Sequence, residues 1–225
     1  MSKPFEIGGE VGLATGEVAL GRAESVSAAR TETTLVEQCL QGDGAAFSRL
    51  VALHEAMVVT LALRLLGERE EARDLAQDVF LQVYRTLGGF RGRSSLKTWI
   101  YRITVNQCRN RQRWWRRRRR DRALSLEQLK PSLEAGLADP AQPEPFERLE
   151  RRETAARVQA ALLRLSFDHR SILVLREVED LSCQEIAATL GLPEGTVKSR
   201  LARARNGLRR LLVSGGDASG NGTAR

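Results

Sequence analysis

The 225-residue sequence predicts an all-α fold of two small helical units joined by a flexible linker. Three observations lead there. Apolar residues recur at three- and four-residue spacings, as in Phe47, Leu50, Val51 and His54, or Leu75, Val79, Val83 and Leu87, while strand-like alternation is absent. Between about Ala123 and Pro145 the composition shifts to Pro131, Pro140, Pro143 and Pro145 among scattered acids, so no helix can run through. Helix start and stop signals at Ser182 and Gly191 mark two short helices around a tight corner.

The elements follow in order. Residues 1–30 are rich in Gly, Ala, Glu and Ser, and their glutamates and glycines interrupt any apolar run long enough for a signal-peptide core, which predicts a disordered extension. A first unit, residues 31–120, holds helices over Thr33 to Gln41, Asp43 to Leu66, Glu70 to Leu87, and Ser95 to about Arg116. Residues 121–145 are the linker, with room for a turn or two at Leu124 to Leu129. The second unit, residues 146–212, holds helices over Arg157 to Leu165 and Arg170 to Glu177 before the corner. A Gly/Ser tail over residues 213–225 closes the chain.

The corner, Leu181 to Arg205, is the most informative stretch. Ser182 and Glu185 stand in the spacing of a capping box, Ile186, Ala187 and Leu190 make an apolar side, and Gly191-Leu192-Pro193 ends one helix and starts the next. At about 100° per residue from Val197, Leu201, Ala204, Leu208 and Leu211 fall on the Val197 side. Gly195, Ser199, Ala202, Arg203 and Asn206 lie opposite, with Lys198, Arg200, Arg205 and Arg209 on the flanks. Small residues allow close approach to base edges, longer polar groups read them, and flanking cations grip phosphates. The plainer reading is a solvated arginine face. Thr196 to Arg210 holds six cations and no acid, whereas an ordinary solvated face mixes signs.

Charge points the same way. The formal net charge is +8, which favours a polyanionic partner. Arg91 to Arg122 carries 13 Lys or Arg against a single acid, Asp121, so this one segment supplies more than the whole excess. No run approaches the roughly 18 apolar residues of a membrane span, which predicts a soluble chain without membrane insertion, and the three isolated cysteines fit a reducing cytoplasm. Cys39, Cys108 and Cys183 lie far apart, and the histidines are His54 and His169, so neither a disulfide framework nor a metal site nor a cofactor is indicated. Cys39 and Cys183 are expected to pack as small apolar groups. No metal pair, glycine-rich phosphate loop or nucleophile with a nearby base is present, so neither catalysis nor a small-molecule substrate is expected.

Phe90 to Arg116 reads FRGRSSLKTWIYRITVNQCRNRQRWWR. Gly92 and two serines make a loop that Ser94 or Ser95 can cap into a helix. Leu96, Trp99, Ile100 and Ile103 share one side and are expected in the core; Tyr101, Arg102, Val105, Arg109, Gln112, Arg113 and Arg116 point the other way. A cationic stripe with an aromatic residue behind a polar loop suits nucleic acid whose bases are partly unstacked. Trp99 reads as core rather than as a stacking platform, and Trp114 and Trp115 are undecided. The run Arg116 to Arg120 gains weight from its continuity with this helix.

Three blocks in order, EARDLAQDVFLQVYRTLGGF, FRGRSSLKTWIYRITVNQCRNRQR and LSCQEIAATLGLPEGTVKSRLARAR, resemble the sigma factors of bacterial RNA polymerase, the extracytoplasmic-function (ECF) group of the sigma-70 family. The resemblance covers about residues 31–120, like sigma region 2, and 146–212, like sigma region 4. It implies a specificity subunit, without catalysis, whose partners are core RNA polymerase at its clamp and flap, promoter DNA, and an anti-sigma factor. It implies polymerase docking through Asp74, Leu75, Gln77, Asp78 and Phe80. It implies promoter melting and -10 reading by Arg91, Arg93, Ser94, Ser95, Lys97, Tyr101, Arg102, Asn106, Arg109, Arg113 and Arg116, the loop capturing an extruded non-template base. Reading of the -35 element is implied for Thr196, Lys198, Ser199, Arg200, Ala202 and Arg203. Arg93 stands where many relatives carry an acid, and Asn110 where an aspartate is frequent. A stand-alone helix-turn-helix regulator is the alternative; it calls for a phosphoacceptor or ligand-binding domain in front. A recombinase would call for a nucleophile on a mixed α/β domain, for which no strands are available.

Overall fold

Helix signals in the sequence become helices throughout the described residues, 32–123 and 146–216, of the computed structural model. These are α1 (residues 32–40), α2 (Gly44–Leu66), α3 (Arg69–Thr86), a 3-10 turn (Leu87–Gly89), α4 (Leu96–Ala123), α5 (Phe146–Arg164), α6 (Phe167–Glu177), α7 (Cys183–Leu190) and α8 (Glu194–Gly216). No strand occurs among the described residues. The expectations for residues 1–30, for Leu124 to Leu129 and for the end of the tail lie outside them. Four helices outrun the sequence reading: α6 starts at Phe167 rather than Arg170, α8 runs on to Gly216 through the first residues expected in the tail, and α4 and α5 are longer as well. α4 continues past Arg116 to Ala123, since nothing in the arginine run breaks a helix, and α5 starts at Phe146 rather than Arg157, directly after Pro145.

Contacts divide the chain after Leu50, within α2. In the first unit, Gly42 at φ +86° turns the chain out of α1, and the Asp43 carboxylate accepts from the amides of Ala45 (2.8 Å) and Ala46 (3.1 Å), capping α2. Arg49 donates to Gln38 at 3.1 Å.

The second unit, from Val51, contains the rest of α2 and all of α3 to α8. Val58, Leu61, Ala62 and Leu65 of α2, Leu75, Val79 and Val83 of α3, and Leu96, Ile100 and Val105 of α4 are buried. α3 packs on α4, α4 on α7, and α8 on α5, α6 and α7. Among the described residues, α2 is long enough and apolar enough on average to cross a bilayer, although Arg49, His54, Glu55 and Arg64 interrupt its apolar run. The core takes its Val58–Leu65 face.

Arg170 of α6, 3% exposed, joins the ends of two helices. It donates to the carbonyls of Leu162 (2.9 Å), Leu163 (2.8 Å) and Leu165 (3.1 Å) at the end of α5, and to Leu65 at the end of α2. Helix ends leave carbonyls without intrahelical partners, and one planar guanidinium satisfies four of them. Burial, reinforced by Arg116, pushes its pKa down to about 10. Beside it, Gly67 at φ +84° ends α2 where a Cβ would collide with the Leu163 side chain.

The cysteines correct the sequence reading. Cys39 and Cys183 are half-exposed, and Cys108 on α4 is the one that packs as a small apolar group, its thiol pushed up to about 12 by burial.

Candidate nucleic-acid interface

The corner forms as its capping residues require. The Ser182 hydroxyl accepts from the Glu185 amide at 3.2 Å, the Glu185 carboxylate accepts from the Ser182 amide at 2.8 Å, and Gly191 ends α7 in the left-handed conformation at φ 65°. The amides of Thr196 (2.9 Å) and Val197 (3.1 Å) bond back to the Pro193 carbonyl, starting α8. Val197, Leu201 and Ala204 are buried, while Gly195, Ser199, Ala202, Arg203 and Asn206 are exposed, the division the 100° count predicts.

The groups on that face differ in freedom. Lys198 pairs with Glu194 one turn earlier at 2.7 Å, a hydrogen bond that raises its pKa. Ser199 donates to the Thr196 carbonyl at 3.1 Å. Arg205 is committed to Glu177 of α6 through Nε (2.9 Å) and Nη2 (2.6 Å), so it orients α8. Thr196 and Arg200 sit half-buried at the flank. Arg203 has no ion pair among the described residues and lies in the middle of the exposed face.

The loop before α4 turns at Gly92, φ +64°. Ser95 caps the helix, accepting from the Thr98 amide at 3.1 Å and sharing a 2.8 Å hydroxyl contact with Thr98. Between loop and helix lies an open cleft of about 300 Å³ lined by Gly89, Phe90, Arg91, Arg93, Ser94, Trp99 and Arg102, with no acid among them. Trp99, only 8% exposed, packs against Phe90 with ring centroids 5.4 Å apart and planes tilted by 50°. It is thus both core and cleft wall, a pairing the sequence reading treated as a choice. Ser95, Lys97, Asn106, Arg113 and Arg116 are exposed along the loop and helix.

The outward placement of Tyr101 and Val105 is corrected: both are 1% exposed, because α7 packs across that side of α4. The Tyr101 hydroxyl donates to Glu179 Oε2 at 2.6 Å, and burial, then that bond, raise its pKa above the ordinary 10. Arg109 is half-buried, 3.3 Å from Asp168 and 5.4 Å over the Phe167 ring. The Lys97 ammonium lies 5.7 Å from the centroid of the Tyr101 ring.

On α3, Asp74, Gln77 and Asp78 are exposed, but Leu75 and Phe80 are buried at 1% and 7% and so hold the helix in place. The exposed row continues through Leu81 and Tyr84, which are 53% and 62% exposed. The sequence reading missed both, although their spacing from Gln77 keeps them on its face. Arg111 ties α4 to α3 through Glu71 (2.5 Å) and Asp78 (3.0 Å). Next to it, Leu75, Asp78, Gln107, Asn110, Arg111, Trp114 and Arg117 line a shallow cleft of about 420 Å³. Trp114 is 43% exposed, with Arg118 4.4 Å over its ring. No group of three His, Cys, Asp or Glu among the described residues is placed to hold a metal ion.

Known families and relatives match this architecture. Residues 50–121 match Sigma-70 region 2, and residues 155–208 match Sigma-70, region 4. The chain is 37% identical to the RNA polymerase sigma-H factor of Pseudomonas aeruginosa over 79% of this chain and 92% of that one. It is 36% identical to the ECF RNA polymerase sigma factor SigM of Mycobacterium tuberculosis (81% and 85% covered), and 34% identical to the ECF RNA polymerase sigma-E factor of Escherichia coli (79% and 92%). Among solved structures, the sigma factor RpoE in complex with the anti-sigma factor NepR from Bartonella quintana matches with a TM-score of 0.58 at 27% identity, covering 74% of this chain and 96% of that one. CnrH in complex with the cytosolic domain of CnrY matches at 0.57 and 25%, with 80% and 96% covered. The helix-turn-helix, the basic loop and helix, and relatives matched over most of their length together place the chain in the sigma-70 family, among the ECF RNA polymerase sigma factors.

Proposed function

We propose that this chain is a promoter-specificity subunit: it binds core RNA polymerase and directs initiation at promoters read in two places. The exposed face of α8, centred on Arg203 and Ala202 with Ser199, Lys198, Arg200 and Thr196 around them, meets the -35 element. The loop and helix from Arg91 to Arg116 melt and read the -10 element. The observation that carries this reading is the acid-free cleft of Phe90, Arg91, Arg93, Ser94, Trp99 and Arg102, which offers an aromatic wall and a guanidinium rim to a base taken out of the stack. Unstacking costs a few kcal/mol per base, so capture that repays this cost only for the right base discriminates between promoters.

Asp74, Gln77 and Asp78, extended by Leu81 and Tyr84, form the face toward the polymerase clamp, and Leu75 and Phe80 support it from beneath. The flap is the second contact on polymerase. Residues 31–120 and 146–212 are the two functional divisions, like regions 2 and 4. Phosphodiester chemistry belongs to the polymerase, and the site of action is the cytoplasm. The sigma factor RpoE was solved in complex with the anti-sigma factor NepR, and CnrH in complex with the cytosolic domain of CnrY. We infer an anti-sigma partner for this chain from that likeness.

The test is transcription of a genomic DNA library by core polymerase with and without the protein, with start sites mapped. Starts that depend on the protein and share two spaced upstream motifs support the reading. Absence of such starts, with duplex DNA still bound by the protein alone, would replace it with a stand-alone regulator.

A further inference from the structure

We propose that the base taken into the cleft between the loop and α4 is a guanine, and that Arg93 is the residue that selects it. This rests on the reading of the cleft as the place where the melted -10 strand gives up a base. The lining offers donors and almost no acceptors. Arg91, Arg93 and Arg102 bring three guanidiniums, Phe90 and Trp99 bring rings, and among the lining side chains only the Ser94 hydroxyl can accept a hydrogen bond. None of the three arginines has an ion pair among the described residues, so their forks are open to a ligand.

A base out of the stack can turn any edge to this wall. Guanine presents O6 and N7 side by side, two acceptors with no donor on that edge, and an arginine fork meets the pair bidentately. Adenine carries an amino donor beside its N7, and thymine offers O4 beside a methyl group, which occupies one arm of the fork. Cytosine can turn its ring nitrogen and carbonyl inward, but its amino group ends the same edge and faces a guanidinium. A donor held against donors loses its partner in water and gains none. The remaining donors of guanine lie outside the edge that the fork takes, and the open mouth of the cleft leaves them to water. Arg93 is the best placed of the three to read. It is exposed, and its backbone is set on one side by Gly92 at φ +64° and on the other by the Ser94–Ser95 pair, where Ser95 accepts from the Thr98 amide at 3.1 Å. Arg91 lies before the turn and Arg102 on α4 beyond Trp99, which leaves these two for the phosphates on either side of the base.

The experiment uses core polymerase with the full chain on a mapped promoter, melted in advance over the -10 region, so that each non-template base is varied above a constant template strand. At one position guanine is expected to give about tenfold more transcript than adenine or cytosine. Guanine lacking the N7 acceptor, as 7-deazaguanine, should lose most of that advantage. Arg93→Glu supplies acceptors and should move the preference at that position to cytosine, through its amino group. Arg93→Lys keeps the charge without the fork, so it should still transcribe with the guanine advantage reduced, and it decides the matter alone if Arg93→Glu is silent on every template. A wild-type preference for another base, or none at any position, overturns the guanine. A guanine preference that survives both Arg93 variants, or that moves with Arg91→Glu instead, overturns the part given to Arg93. Wild-type transcription that discriminates nowhere and is unchanged by Arg91→Ala/Arg93→Ala/Arg102→Ala would overturn the capture reading itself.

Discussion

At the scale of single residues, position in the charge network matters more than residue type. Arg203, Arg205 and Arg170 are all arginines of the last four helices, with three different tasks. Arg203→Ala is expected to weaken the -35 contact by about 1–3 kcal/mol, read as loss of affinity for a duplex carrying the mapped upstream motif; unchanged affinity would move the base-reading role elsewhere on α8. Arg170→Met removes four hydrogen bonds to buried helix-end carbonyls and is expected to cost about 2–4 kcal/mol, seen as a lower urea midpoint. His54, 7% exposed, has an unpartnered Nε2 and a pKa held below its ordinary 6.5 by burial and then by Lys97. Its proton is bound more readily by the unfolded chain, so its contribution is complete above about pH 6.5 and is lost as pH falls through and below that value. His54→Gln should flatten this part of the stability profile, and a profile identical to wild type would assign the acid loss to other groups. None of these pairings is legible in sequence. Partners such as Leu65 for Arg170, or Glu179 for Tyr101, are distant in the chain and meet only after packing.

At the scale of elements, local signals were read well where a local cause acts. The capping box, the Gly191 stop and the sides of α8 follow from contacts within one or two turns, and each stands where the sequence puts it. α4 was read half correctly. Its Leu96, Trp99 and Ile100 side is buried as predicted, but a second side is covered too, because periodicity finds one apolar stripe and has no means of showing a later helix laid across a polar one. The two glycine stops offer a comparison. Gly191 at φ 65° has open space where a Cβ would stand, so Gly191→Ala is expected to cost only the left-handed backbone penalty, about 1–2 kcal/mol. Gly67→Ala meets the same penalty and the Leu163 side chain, so it should lose distinctly more by thermal unfolding. Equal losses would mean that Leu163 moves aside freely.

At the scale of the whole molecule, the charge excess supplied by Arg91 to Arg122 runs out along α4 beyond the core, where Arg117 and Arg118 are exposed. Replacing Arg116, Arg117 and Arg118 with alanine should lower affinity for all promoters by a similar factor, whereas a loss confined to some promoters would give these residues a part in base reading. The proline and acid content between Ala123 and Pro145 predicts a two-part organisation, whereas the contacts among the described residues divide the chain after Leu50. The packing of α6 and α7 onto α4 was not legible, since it depends on a few long-range polar contacts that leave no period in the sequence. The Lys198–Glu194 pair carries its own consequence for solution behaviour. A cation whose charge is offset by a neighbouring carboxylate neutralises less of the phosphate backbone and so displaces fewer of the counterions condensed on DNA. The salt dependence of -35 binding should therefore count fewer charges than α8 displays, and Glu194→Gln should steepen it.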